Sequence, residues 1–403
     1  MSKLFFFLSI LVFSRAAPVV SPADFQWLNS TVRLFIEGCR LVGLDNVTLF
    51  TPDASSSYGA QWTRDFTMAL MSAGPASFPL GVNVSASVAY TLDRITPVGI
   101  VPDRVQADGE AVFAPCTPGC WPISLAWDNM PYAALLLANY ASLWQDSSFF
   151  CRYEKVVRRA LFFVPLKQGL AFNDPQSPNT SFGFEDSVVV PGRQLTVSLL
   201  MHHAAQDMAA LSHSTGCGDA ESYSALASVI AGSVDSLYNN ASGLFYASDS
   251  LELVDDIFGS AYLVTQNLST PERRKGVANF LASQWEQAAA GAEDTIFQEG
   301  QVRHLPWGVF WKKCWKGCPA PGTYQNGAFW ATPLNWVLGA LDGTGFTATA
   351  SAIANATINS FMEGGVMECI NRPLNYHGVR DYVASATNLF GAISPAASMK
   401  DKK

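Results

Sequence analysis

The 403-residue chain is poor in charge, and poorest in positive charge: 25 Lys and Arg stand against 33 Asp and Glu, charged residues make up 14% of the total, and the formal net charge is -8. Neutralising a phosphate backbone takes a basic stripe, and none is present, so a nucleic-acid partner is excluded. Histidines number five. Two of them, His202 and His203, are adjacent and would diverge on a helix. No Gly-rich phosphate loop and no Gly-x-Ser-x-Gly elbow occurs, which removes P-loop and α/β-hydrolase chemistry. No Pro-, Ser- or Gly-rich linker and no charge block divides the chain, so one large domain is expected. Strand signals are scarce as well, limited to short β-branched pieces such as Val188-Val189-Val190.

What is present is apolar: 49% of the residues are hydrophobic, ample material for a large core. The N-terminal run Leu4 to Phe13 is too short to span a bilayer comfortably. Preceded by Lys3 and followed by Ser14-Arg15-Ala16-Ala17, it reads as a secretory signal peptide over residues 1–17, leaving no membrane anchor once removed. Eight cysteines, an even number, suit the oxidising compartment this implies. Cys116 with Cys120 and Cys314 with Cys318 each either close a tight loop or pair elsewhere. No His lies at ligand spacing beside either pair, which argues against zinc, and no cofactor is implied. Sequons at Asn29, Asn46, Asn83, Asn179, Asn240, Asn267 and Asn355 favour secretion too. Residues 396–403, ending Lys400-Asp401-Lys402-Lys403, read as a solvated tail.

Hydrophobic periodicity predicts about twelve helices, at roughly 21–43, 64–76, 81–95, 127–145, 147–166, 193–214, 218–238, 256–267, 271–289, 328–342, 346–363 and 380–394. Ser21-Pro22-Ala23-Asp24 shows how they begin, with a capping hydroxyl, a proline suited to the first turn, and an acid where the helix dipole favours one. Long loops fall at about 96–126, 167–192, 290–327 and 364–379. Loops of that length in a compact domain are usually functional. Six helical hairpins closed into a ring would set them on one rim.

Four motifs concentrate the polar chemistry. Trp62-Thr63-Arg64-Asp65 follows Tyr58: a forked donor and a carboxylate can grip neighbouring sugar hydroxyls while Tyr58 and Trp62 offer flat faces, although a cap and salt bridge would use the same residues. Glu185-Asp186 follows Phe184: a carboxyl held among rings and beside another acid stays protonated, ready to donate to a leaving oxygen, although two solvated loop acids would read the same. Arg303, then Asn326 and Trp330 in Tyr324-Gln325-Asn326-Gly327-Ala328-Phe329-Trp330, can shape a rim, although Asn-Gly is also a plain turn signal. Glu368 sits in an apolar run, where an unpaired carboxylate is costly. It is either a general base or the partner of Arg372 or Arg380. Asp128, in Trp127-Asp128-Asn129, is a further candidate rim acid.

These stretches resemble glucoamylases and related six-hairpin glycosidases, and more distantly trehalases. The first run is similar to their Trp-Thr-Arg-Asp segment, the third to Arg-Tyr-Pro followed by Tyr-x-Asn-Gly-x-x-Trp, and the last to Glu-Gln-x-Asp ahead of the final helix. The resemblance covers most of the mature chain as four anchors in the same order. It implies a single-domain, all-α (α/α)6 toroid over residues 18–395, with Arg64 and Asp65 binding the sugar at the cleavage point and Glu368 as catalytic base. For the acid, a gapless overlay favours Glu185 and the Gly-Phe-x-Asp-Ser form of secreted relatives favours Asp186. The second hairpin lacks the glucoamylase Arg and no starch-binding domain is present, so a smaller glycoside or oligosaccharide, an α-glucoside among them, is the expected substrate. Cleavage with inversion calls for two carboxyls about 6.5–9.5 Å apart. A non-catalytic secreted carbohydrate-binding protein of the same fold is the alternative. A lyase or isomerase would need a central Tyr, His or Lys base, for which no candidate stands out.

Overall fold

The computed structural model describes residues 17–115, 125–250, 252–315 and 317–393, with the Glu185 side chain left outside. The expected signal peptide up to residue 16, the tail at 396–403, and Cys116 and Cys120 lie outside the described residues.

Twelve α-helices are found among the described residues: α1 (Pro22–Gly38), α2 (Thr63–Ala73), α3 (Val84–Leu92), α4 (Asn129–Leu143), α5 (Ser147–Leu161), α6 (Leu195–Thr215), α7 (Ala220–Ser233), α8 (Ile257–Thr265), α9 (Pro271–Ala289), α10 (Leu334–Gly343), α11 (Thr347–Gly364) and α12 (Val383–Ile393). The six even-numbered helices pack each on the next, and α12 closes on α2. Most of them also carry an odd-numbered helix, α1 on α12, α3 and α5 on α4, α7 on α6, α9 on α8 and α11 on α10. Burial follows that division. Helix α4 buries Asn129 through Ala138 without a break, and α8 buries Ile257 through Val264, whereas α7 buries only Tyr223, Leu226, Ala227 and Ile230. A helix that is apolar all round needs neighbours on every side, while a one-sided stripe leaves the other face to water.

Local chemistry sets the helix starts. Ser21, Asn83, Asp146, Asp219, Asp256 and Thr270 each accept an N–H of the first turn, and Pro22 and Pro271 follow Ser21 and Thr270 at the first helical position. Neighbouring ring helices begin side by side: Arg64 near the start of α2 reaches Asp128 and Asn129 at the start of α4, and Thr196 at the start of α6 donates to Asp256, the cap of α8.

The expectation of a single all-α toroid is corrected by the segments between the helices, which among the described residues hold thirteen short strands in four antiparallel sheets. The first pairs β1 (Arg40–Val42) with β2 (Thr48–Phe50), and the second orders β3 (Ala60–Trp62), β4 (Arg104–Gln106) and β5 (Ala111–Val112). The third holds β6 (Leu166–Lys167), β7 (Leu170–Asn173) and β8 (Gly192–Arg193). The fourth runs from β9 (Phe297–Gln298) through β10 (Gln301–Arg303), β11 (Phe329–Trp330) and β12 (Ile370–Asn371) to β13 (Tyr376–His377), a five-stranded sheet drawn from three separate stretches of chain. Most of these strands fall in the segments expected to be structureless. Pairing satisfies backbone groups that buried loops would leave orphaned.

Disulfides join Cys151 to Cys217 and Cys314 to Cys318, while Cys39 and Cys369 are buried free thiols. No described helix is long and apolar enough to cross a membrane.

Candidate active site

The site begins with Asp53, a fully buried acid just after β2. Its carboxylate accepts the N–H groups of Ser57 and Tyr58 at 2.8 and 2.9 Å, which fixes the turn that carries Tyr58. Strand β3 then pairs with β4 so that Trp62 stands opposite Arg104, and Thr63 donates its N–H to Asp103 O at 2.9 Å and its hydroxyl to Pro102 O at 2.6 Å. Anchored there, the chain turns into α2, and Arg64 and Asp65 fall in its first turn. A carboxylate at that end is favoured by the helix dipole.

Arg64 is held from three sides: Nε donates to Asp128 at 3.0 Å, and Nη2 donates to Asp103 at 2.6 Å and to Asn129 at 3.1 Å. Asp128 is therefore no rim acid. It is fully buried, and the oxygen that accepts from Arg64 also accepts the Gly183 N–H at 2.8 Å, tying the 181–187 segment to the guanidinium. That approach requires glycine, because a Cβ at Gly183 would lie 1.7 Å from Arg64 Nε.

Gly183–Glu185 forms a 3-10 turn, braced by Phe184 against Trp330 at 5.7 Å, and Asp186 follows it. Gln325 positions this acid. Its Nε2 donates to Asp186 Oδ1 at 2.7 Å, while its Oε1 accepts the Ser187 N–H and hydroxyl at 2.9 and 2.7 Å. Burial pushes the Asp186 carboxyl up to about 7 against the pull of Arg64 and Gln325. Glu185, the other candidate acid, has its backbone in the turn and its side chain outside the described residues.

Glu368 is delivered by the approach to β12, where its N–H bonds Val379 O at 2.7 Å. Tyr58 Oη donates to Oε1 at 3.2 Å and the Val379 N–H to Oε2 at 3.3 Å. The pairing with Arg372 does not form, since Arg372 forks onto Glu299 at 3.0–3.1 Å, and Arg380 is exposed with no ion pair to Glu368. With no counter-charge in bonding range, burial raises Glu368 to about 7, and the Asp65 and Asp186 charges push the same way. Asp65 is raised to about 6, mainly by burial, although Tyr382 Oη donates to it at 2.5 Å.

These groups meet in one cavity of about 420 Å³, lined by Tyr58, Trp62, Arg64, Asp65, Asp186 and Glu368 together with Arg104, Phe184, Tyr324 and Tyr382. Its walls combine aromatic rings with charged side chains, and Arg104 lies over the Trp62 ring at 5.1 Å. Besides Asp128, three expected site residues lie elsewhere. Arg303 lines a different cavity. Asn326 is a structural link, accepting the Trp311 N–H at 2.7 Å and donating to Pro319 O at 2.7 Å. Trp330 is buried behind Phe184 and Tyr324. Gln325, Tyr324 and Tyr382, which the motif reading passed over, contribute directly, as do Asp103 and Asn129 behind Arg64. Tyr324 and Gln325 stood inside a quoted motif, and only their contacts single them out. Among the described residues no group of three or more His, Cys, Asp and Glu is placed to hold a metal ion.

No protein-family model matches the sequence, and neither does any curated protein. Solved structures do match. A GH63 mannosylglycerate hydrolase from Thermus thermophilus, crystallised with glucose, is similar at 14% identity with a TM-score of 0.60, over 90% of this chain and 98% of that one. A rhamnosidase from Klebsiella oxytoca with rhamnose bound is similar at 12% identity and a TM-score of 0.63, over 93% of this chain and 64% of that one. A GH78 rhamnosidase of a Bacillus species is similar at 13% identity and a TM-score of 0.61, over 92% of this chain and 35% of its own. At these identities the likeness shows the fold. The chain shares the fold of these glycosidases, and the likeness carries no particular tie to glucoamylases.

Proposed function

We propose that the protein is a secreted glycoside hydrolase that cleaves a small glycoside or oligosaccharide with inversion. The observation that carries this reading is the meeting of Asp186 and Glu368, brought from distant stretches of chain, in one aromatic cavity beside Arg64 and Asp65. Sugars suit such a place: ring faces stack on Tyr58 and Trp62, and hydroxyls bond to the Arg64 and Asp65 edge. Solved structures of this fold hold glucose and rhamnose, which supports a carbohydrate ligand.

Asp186, protonated up to about pH 7 by its burial, donates its proton to the glycosidic oxygen as the bond to the anomeric carbon breaks. Glu368 accepts a proton from a water molecule whose oxygen attacks that carbon from the opposite face. The products are the released alcohol and a sugar of inverted configuration. Proton exchange with solvent then restores the two carboxyls. Tyr58 and the Val379 N–H hold the Glu368 carboxylate in place, and Gln325 does the same for Asp186. The two disulfides and seven sequon asparagines, none of them buried, support passage through the secretory pathway.

The test is hydrolysis of aryl α- and β-glycosides and disaccharides, with proton NMR following the configuration of the first product. Loss of a general acid or base costs about 10²–10⁴-fold in rate. Glu368→Gln is expected to lower kcat by that factor on every substrate. Asp186→Asn is expected to lower it on disaccharides far more than on aryl glycosides with good leaving groups, which need no protonation, and Glu185→Gln to leave both rates near the parent's. Sugar binding without turnover by the parent protein, or a product of retained configuration, would overturn the proposal.

A further inference from the structure

Beside the five-stranded sheet lies a second cavity, about 870 Å³, that shares no lining residue with the first. Its wall is strongly aromatic, with Trp285, Phe297, Trp307, Phe310 and Phe329, and Arg303 from β10 backs it. Arg303 is 1% exposed. Its Nη2 donates to Val309 O at 3.1 Å, its Nε has no hydrogen-bond partner, and no carboxylate among the described residues pairs with it. Its other neighbours are rings, Trp307 at 5.0 Å and Phe310 at 5.4 Å from the guanidinium carbon. The two acids on the cavity wall do not serve it: Glu299 is engaged by Arg372, and Glu293 is exposed without an ion pair.

A guanidinium removed from water is normally given a carboxylate. Here burial alone acts, and it lowers Arg303 to about 10. Stacking on Trp307 and Phe310 accounts for the flat faces of the group but not for the idle Nε–H. The backbone also makes room for it, since a Cβ at Gly327 would lie 2.6 Å from Arg303 Nη2. A buried cation with spare donor capacity, set in a roomy aromatic cavity, is what recognition of an anion on a flat body requires.

We propose that this cavity is a second ligand site, distinct from the sugar-cleaving one, that binds a small carboxylate carried on a ring. Arg303 holds the carboxylate, and the ring lies against the aromatic wall, with Trp307, 46% exposed, the indole that a ligand stacks on or displaces. Two sources share this chemistry, an aryl acid and a uronic acid sugar.

Isothermal titration of the full chain with benzoate and with glucuronate, each beside its uncharged counterpart, methyl benzoate and methyl glucoside, tests the proposal and separates the sources. At least one acid is expected to bind, its neutral counterpart at least about tenfold more weakly. Arg303→Gln is expected to weaken the acid by about tenfold or more. Since Arg303 is buried, a second variant guards against misfolding: Ala292→Trp, at an exposed lining position, is expected to obstruct the cavity and weaken the same acid to a similar degree, with the circular dichroism spectrum unchanged. Neither acid binding at about 10 mM, equal binding of acid and neutral counterpart, or Ala292→Trp binding like the parent would overturn it.

Discussion

Gly183 is the residue through which the two halves of the proposed acid machinery touch. Its N–H bonds the Asp128 oxygen that also accepts from Arg64, and its missing side chain lets the guanidinium lie against the turn that carries Asp186. Gly183→Ala would put a methyl 1.7 Å from Arg64 Nε, so either the guanidinium or the acid must shift. Overpacking of this kind costs about 1–3 kcal/mol. The expected outcome is a modest fall in unfolding free energy by urea denaturation together with a loss of kcat larger than such a fall explains, because a small misplacement of a catalytic acid is amplified in rate. Parent-like kcat with normal stability would show that the contact does not position Asp186. The same neighbourhood marks what residue types reveal in sequence. Arg64, Asp65 and Glu368 stood out as an arginine beside an acid at a helix start and an acid in an apolar run, but each also had a bland reading, a cap and salt bridge for the first pair and an arginine partner for Glu368. Asp128 was legible as an acid but not as a buried partner, and Arg303 as a cation but not as belonging to another cavity, since partner and direction are set by tertiary packing.

At the scale of elements, the long helices declared themselves through eleven or more residues of consistent period and, at the first of them, through the Ser21-Pro22 cap. The strands did not. At two to four residues each, none is long enough to show an alternation, and the five-stranded sheet joins β10, β11 and β12, which are separated by dozens of residues in the chain. Such pairings are a property of the closed fold. Glu368, just ahead of β12, is held instead by a local contact, its N–H bonding the O of Val379 eleven residues further on. The disulfides act at this scale too. Cys151, within α5, is joined to Cys217, just ahead of α7, across 66 residues, whereas Cys314 and Cys318 close a loop of 4. A cross-link over the longer stretch removes more freedom from the unfolded chain, typically about 2–4 kcal/mol. Replacing Cys151 and Cys217 by Ser is expected to lower the denaturation midpoint distinctly more than replacing Cys314 and Cys318. The reverse order in a guanidinium titration would refute that assignment.

Across the whole molecule, the ring of helices encloses a group of acids that its own packing disfavours. Asp65, Asp186 and Glu368 all have carboxyls raised by burial, to about 6, 7 and 7. A group whose proton is held more tightly in the folded state stabilises the fold fully below its unfolded value and loses that contribution as pH rises through the folded one. For these three the loss runs from near pH 4 to about pH 7, so the folded protein is penalised at neutral pH for ionising them, including Glu368, whose charge the proposed reaction needs. Glu368→Gln keeps the shape and removes one charge. Its thermal midpoint is expected to exceed the parent's at pH 8, by the equivalent of up to about 3 kcal/mol, and to converge on it near pH 4, where Glu368 is already protonated. Calorimetry of both proteins across that range measures the difference directly. A midpoint for Glu368→Gln below the parent's at pH 8 would mean that Tyr58 and the Val379 N–H compensate the carboxylate fully, and that the site is held by its acids and not in spite of them.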